Sequence, residues 1–332
     1  MPEYKQSFLK EAQRVKSIFV LPDVPSTKSL DDVIQDVPPL VAPISRVFRE
    51  NISAVLAVAS IPYRMSYTSS MQNIFEHTLM AERIRRIPIP GEDDDPEKRE
   101  AEALAAAHRK FDAEASSDET MQAMINRVVV DLAHLAKDPD FDSAAHELLL
   151  ETLVMTWGTF EAFVTSLLRA VLNSRPDLGA RLLTEDATKR HFPFRGIPVE
   201  SLAEHGFNVA QAMGDLLLAS RHLDSLPVIK DMLNVIFPNE EGLRTRMSDR
   251  ALWTFAQRRH LVVHRRGEID NSYLAQTGEQ SPVGSRLKID PLYVEQCSSL
   301  VIAIAVDLLK AIERLPSVGA PMGLASSSDG LA

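Results

Sequence analysis

The chain has 332 residues, 45% of them hydrophobic and 25% charged, and carries a formal net charge of -10. This is the composition of a soluble globular protein with a sizeable core, at a length that suits about two ordinary domains. Its single cysteine, Cys297, excludes an internal disulfide and has no metal ligands beside it in sequence, so it is expected in the core. The first twenty residues mix acids and bases throughout, unlike the apolar stretch of a signal peptide. The longest apolar runs, such as Ile52 to Pro62 and Leu300 to Val306, are shorter than the ~20 residues of a membrane span. A cytoplasmic protein without a membrane partner is expected.

In chain order, almost every periodic segment has the helical period. Phe8, Leu9, Ala12, Val15 and Phe19 predict an amphipathic helix over 3 to 19. VPPLVAP, 37 to 43, breaks it from a second helical region reaching about Ile61, after which Pro62, Pro88 and Pro90 punctuate the chain. Residues 1–117 thus read as an irregular helical extension of unknown role. Between Gly91 and Glu119 lie eleven Asp or Glu against four Lys or Arg. This acidic stretch, 91–119, reads as a solvated helix and linker in preference to a docking segment.

From residue 118 the patterns strengthen. A helix over 119 to 136 ends at KDPDFD, and a long one opens at Asp142 or Ser143, either of which suits an N-cap. Leu149, Leu153, Trp157, Phe160, Val164, Leu167 and Val171 make it a core helix ending before Pro176. Further helices are predicted at about 177–189, 208–222, 226–236, 249–266 and 291–314. Only RLKI, 286 to 289, alternates like a strand, too short for a sheet. The tail 316–332 is small and polar and reads as disordered. The fold class is all-α.

One stretch inverts the chain's charge. QRRHLVVHRRGEIDNSYL, from Gln257, holds four Arg and two His in its first ten residues. On the helix over 249–266, Leu252, Phe255, Val262 and Val263 supply the apolar side, and Gly267 stands where a left-handed cap would stop it. His260 and His264, four apart, share a face, while Arg259 projects about 100° from His260. A zinc site is one reading of two His at this spacing, but Leu261 stands where the H-E-x-x-H motif needs its general-base Glu. The other reading is phosphodiester chemistry. Metal-free RNA cleavage needs a group near neutral pKa to move protons and a cation to hold charge growing on phosphate. His and Arg suit those tasks. Upstream, Glu161 lies on the stripe of Trp157, Val164 and Leu168, where an unpaired carboxylate is costly to bury, so a cation is expected to face it.

RRHLVVH resembles the signature of the HEPN superfamily, whose ribonucleases carry Arg, a polar residue and a more distant His near the end of a late helix. GEIDNSYL resembles the continuation in ribosome- and defence-associated HEPN groups, and TLVMTWGTFEAFVTSLL resembles their early helix. The likeness spans about 118–315. It implies a HEPN-like helical domain there and a metal-independent endoribonuclease attacking through the RNA 2′-OH, without cofactor or metal. On that match Arg259 takes the Arg position, His260 the polar position and His264 the terminal His; apart from the match, Glu161 is expected to orient Arg259 or a motif His, and Arg258, Arg265 and Arg266 to grip neighbouring RNA phosphates. It also implies a homodimer in which two motifs meet, a toxin or antiphage role, and with it an inhibitory partner protein. The competing readings are a non-catalytic RNA-binding or assembly module on the same fold and an α-helical metalloenzyme.

Overall fold

The computed structural model describes residues 3–22, 27–88, 95–115, 117–192, 198–218, 223 and 225–315. The predicted disordered tail, 316–332, lies outside them. The fold is all-α: the described residues form sixteen helices and no strand, with one antiparallel bridge between Glu268 and Arg286. In order these are α1 (Glu3–Lys16), α2 (Lys28–Ile34), α3 (Ala42–Ala59), α4 (Ile61–Arg85), α5 (Pro96–Ala115), α6 (Asp118–Leu135) and α7 (Pro139–Ser174). There follow α8 (Pro176–Thr184), α9 (Asp186–Lys189), α10 (Val199–Glu204), α11 (Val209–Leu218), α12 (Leu226–Ile236), α13 (Glu241–Met247), α14 (Arg250–Arg265), α15 (Asn271–Thr277) and α16 (Pro291–Glu313).

Proline placement differs from the sequence expectation. Pro62 does not interrupt structure: it occupies the first turn of the 25-residue α4, where its missing N–H costs no helical bond. The long α7 starts earlier than Asp142. Asp138 caps it, its Oδ1 accepting from the N–H groups of Asp140 at 2.9 Å and Phe141 at 3.3 Å, with Pro139 at the first helical position. The acidic stretch is helical over Pro96–Ala115, with 91–94 outside the described residues.

The helices group into two compact units, each drawn from separated stretches of chain. One comprises α1, Leu56–Thr152 and Lys288–Glu295; the other comprises α2, α3 as far as Val55, Leu153–Leu287 and the remainder of α16. In the first, α1 and the turn that follows it pack on α6 through Val15, Phe19, Val128 and Leu132, and the Arg14 guanidinium donates to the Ala136 carbonyl at 2.6 Å. In the same unit α4 packs on α5, with Phe75 edge-on to Phe111 at 5.6 Å.

Averaged over their length, α7 and α16 are apolar and long enough to cross a membrane by composition, which a count of uninterrupted apolar residues misses. Half of each apolar window is buried within the protein. In the second unit the α7 stripe of Leu153, Trp157, Phe160, Val164, Leu167 and Val171 is buried as the spacing predicts, with Leu252 and Phe255 of α14 and Val301, Ile304 and Leu308 of α16 also in the core. Cys297 is buried, in keeping with its expected core position. Trp157 meets Phe255 edge-to-face at 5.2 Å. Helix α11 sits hard against α7. A Cβ on Gly214 would stand 2.2 Å from the Arg169 carbonyl oxygen, and Asn173 Oδ1 accepts from the Gly214 N–H at 2.7 Å.

The first unit also buries one carboxylate beneath more exposed cations. Glu82, 3% exposed, accepts from Arg85 at 2.7 Å, from Arg86 at 2.5 Å and from Lys110. Hydrogen bonds from Arg86 and then Lys110 hold its carboxyl at about 2, well below its ordinary 4.5. A depressed carboxylate stabilises the fold above its unfolded pKa and loses that contribution as the pH falls through its folded one. Melting temperature is therefore expected to fall as the pH drops from about 4.5 towards 2. Glu82→Gln should melt lower at pH 7 and show a flatter acid limb in a thermal series followed by circular dichroism.

Candidate active site

The basic stretch forms the end of α14, within the second unit. Asp249 caps its start, accepting from the Ala251 N–H at 2.8 Å. Its end differs from the expectation by one residue: Arg266 already adopts the left-handed conformation, at φ 53°, and Gly267 continues it at φ 78°. Both N–H groups turn back to the Leu261 carbonyl. The buried face is also shifted. Leu252, Phe255, Leu261 and Val262 are buried, whereas Val263 is 45% exposed. At the end of α14, this rotation leaves His264 and Val263 together on the open side.

Beyond Gly267 the chain is tied to a later segment, with the Leu287 N–H donating to Gly267 at 2.7 Å and that of Ile269 to Ser285 at 2.9 Å. RLKI thus contributes a single bridge. Asp270 then caps α15, its Oδ1 accepting from the Tyr273 N–H at 2.7 Å, while its Oδ2 lies 3.2 Å from Arg265.

The cation expected opposite Glu161 is Arg259, whose Nη2 lies 3.6 Å from Glu161 Oε2. Both side chains are 21% exposed, so the pair is screened less than one on the open surface. His260 and His264 are exposed, with ring centroids 4.4 Å apart. Partial desolvation, followed by the neighbouring His264 and Arg259, pushes His260 below its ordinary value, and Asp270 opposes this.

The other three arginines diverge. Arg258 is turned away, 17% exposed, donating to Tyr273 Oη at 3.2 Å and pairing with Glu279 at 3.0 Å. Burial first, and then the bond to Glu279, raise Tyr273 to about 12. Arg265 is half-exposed and held between Asp270 and Glu268. Arg266 is exposed and has no side-chain partner among the described residues. The structure thus pairs Arg259 with Glu161 and His260 with His264, puts Arg259, His260 and Arg265 on one cleft, leaves Arg266 at the exposed helix end, and commits Arg258 to packing.

Beside Arg259 and His260 opens a cleft of about 420 Å³, walled by Trp157, Leu226, Pro227 and Trp253. Sequence reasoning gave Trp157 to the core and overlooked Trp253 and Asp270. The usable signal was that the chain has two tryptophans, one on each of the two helices that carry the motif residues. Among the described residues no three His, Cys, Asp or Glu side chains gather as a metal cluster. Comparison with family models, with curated proteins and with solved structures gave no significant match.

The electrostatics make a direct prediction. Asp270→Asn keeps a side chain able to cap α15 and removes the charge that raises His260, so His260 should titrate lower still. Arg259→Gln should move it upward. Proton–carbon NMR of the imidazole signals checks both, and unchanged titration in both variants would contradict the assigned causes.

Proposed function

We propose that this protein is a metal-independent endoribonuclease of the HEPN type. The observation that carries the reading is the Arg259 guanidinium, opposite Glu161, with the exposed His260 next to it in sequence and the His264 ring 4.4 Å from that of His260. Neutral His260 takes the proton of an RNA 2′-OH, O2′ bonds to phosphorus, and the bond to the leaving 5′-oxygen breaks as His264, in its protonated form, donates to that oxygen. Arg259 stabilises the charge that grows on the phosphate oxygens. Glu161 acts as a positioning residue. Arg265 and Arg266 attract the RNA backbone beyond the reacting bond, whereas Arg258, held by Glu279, is left out of that role. The family resemblance supports two copies meeting at their motifs, in a cytoplasmic toxin or defence role.

In excess EDTA the purified protein should cut total RNA and leave 2′,3′-cyclic phosphate ends; activity that disappears with chelation and returns with Zn²⁺ or Mg²⁺ sinks the mechanism. Arg259→Ala and His264→Ala should each lower turnover at saturating RNA by ~100- to 10,000-fold with little change in RNA affinity. Replacing Arg265 and Arg266 together should do the reverse, weakening binding and flattening its salt dependence. Binding by the wild type without any cutting would make a non-catalytic RNA-binding module the better reading.

In sedimentation at micromolar concentration the protein should run as a dimer. Full nuclease activity at the 36.9 kDa monomer mass would contradict the shared site.

A further inference from the structure

His260 and His264 offer the same atoms to a second kind of chemistry. Both rings are exposed, their centres are 4.4 Å apart, and neither has a hydrogen-bond or ion-pair partner among the described residues. No other two of the nine histidines lie within four residues of each other in sequence. Residues four apart stand on one helix face with their Cβ atoms ~5–6 Å apart. Two imidazole nitrogens each ~2.0–2.1 Å from a shared ion put their ring centres about 4.5–5 Å apart. The pair already stands close to that separation.

The surroundings accept a dication. Arg259 faces Glu161 at 3.6 Å and Arg265 lies between Glu268 and Asp270, so the neighbouring arginines bring carboxylates with them. Asp270 also lines the same cleft as His260. His264 is in the last turn of α14, the helix end that favours positive charge. That turn is held, because the N–H groups of Arg266 and Gly267 both return to the Leu261 carbonyl. Imidazole donors suit Zn²⁺ and its late transition-metal neighbours, whereas Mg²⁺ and Ca²⁺ take oxygen. Among the described residues no third His, Cys, Asp or Glu completes the set. A structural zinc site uses four protein ligands, so two, with water in the other positions, hold an ion exchangeably.

We infer that His260 and His264 together chelate Zn²⁺ and that the bound ion switches the nuclease off. The chelation rests on the geometry, and its effect rests on the nuclease reading above. A neutral imidazole has one ring-nitrogen lone pair. In His260 that pair takes the 2′-OH proton, and in His264 it carries the proton given to the leaving oxygen. Coordination uses both, so the ion and the transferred protons exclude each other. The ion is an inhibitor here, which is why the pair needs no accompanying general-base Glu at Leu261.

The whole protein, stripped with EDTA and dialysed, is titrated with ZnCl₂ and with MgCl₂ in a calorimeter. Zn²⁺ should bind saturably at one ion per chain, and Mg²⁺ should not bind. His260→Ala and His264→Ala should each weaken Zn²⁺ binding by ~10-fold or more, since losing even an outer partner of a ligand costs 10- to 100-fold. His77→Ala, at a solitary exposed histidine, should leave it unchanged. Circular dichroism checks that the variants keep the fold. RNA cleavage by the wild type is assayed on the same preparation. Added Zn²⁺ should lower it by ~100-fold or more, the size of lost acid–base catalysis, with a midpoint matching the binding curve. Excess EDTA should restore it. Zn²⁺ affinity that is absent, or is unchanged in both motif variants, overturns the inference, as does undiminished cutting by the zinc-loaded wild type. Zinc held by the pair in a protein that cuts no RNA even in EDTA supports the chelate and removes the nuclease.

Discussion

The ion pair between Arg259 and Glu161 is the constraint on which the arrangement of this site depends. A carboxylate on the buried stripe of α7 has to meet a cation, and the closest one α14 offers is Arg259. At 3.6 Å the contact is Coulombic and too long for a hydrogen bond. It therefore fixes where the guanidinium sits without consuming its donors. Nε remains buried and unpartnered while the guanidinium is held in place.

Consecutive residues of a helix point about 100° apart, and α14 uses that angle to separate structure from site. Arg258 turns to Tyr273 and Glu279, tying α14 to the segment around α15. Arg259 turns to α7. The clustering of charge in QRRHLVVHRR, which looks like one basic patch in sequence, is thus several different environments: a nearly buried ion pair, a positioned guanidinium with two imidazoles beside it, and two arginines at the exposed helix end. Only the last kind is available for nonspecific attraction to a polyanion.

The long elements were legible because their apolar spacing is strong enough to survive tertiary packing: α7 and α14 fall where Trp157, Phe160, Leu252 and Phe255 put them. Prolines misled because the same residue that ends a helix from within also starts one well; Pro62 and Pro139 do the second. Helices α10, α13 and α15, each of six or seven residues, carry too few turns for periodicity to show. The pairing of Glu161 with a cation followed from the cost of a buried charge, but which cation it would be needed the fold. Exchange of Val263 for Leu261 on the buried face had no sequence signal, since both are apolar and they flank Val262. The cleft was illegible for a different reason: Trp157, Leu226, Trp253 and Tyr273 come from four separate helices, and concavity is a property of their assembly.

The turn after α14 links these features. Leaving the helix through two successive left-handed residues, Arg266 and Gly267, redirects the chain immediately, and the bonds from Leu287 and Ile269 hold the new course. Asp270 is thereby returned to the end of the helix it has just left, where one oxygen caps α15 and the other faces Arg265. Its charge also acts on His260, against the desolvation and the two cationic or titratable neighbours that depress that imidazole. A single carboxylate thus couples the path of the backbone to the protonation of His260. The non-glycine residue at φ 53° is a conformation that L residues adopt at a cost, and an ordinary right-handed continuation there would extend α14 and delay the reversal that brings Asp270 back.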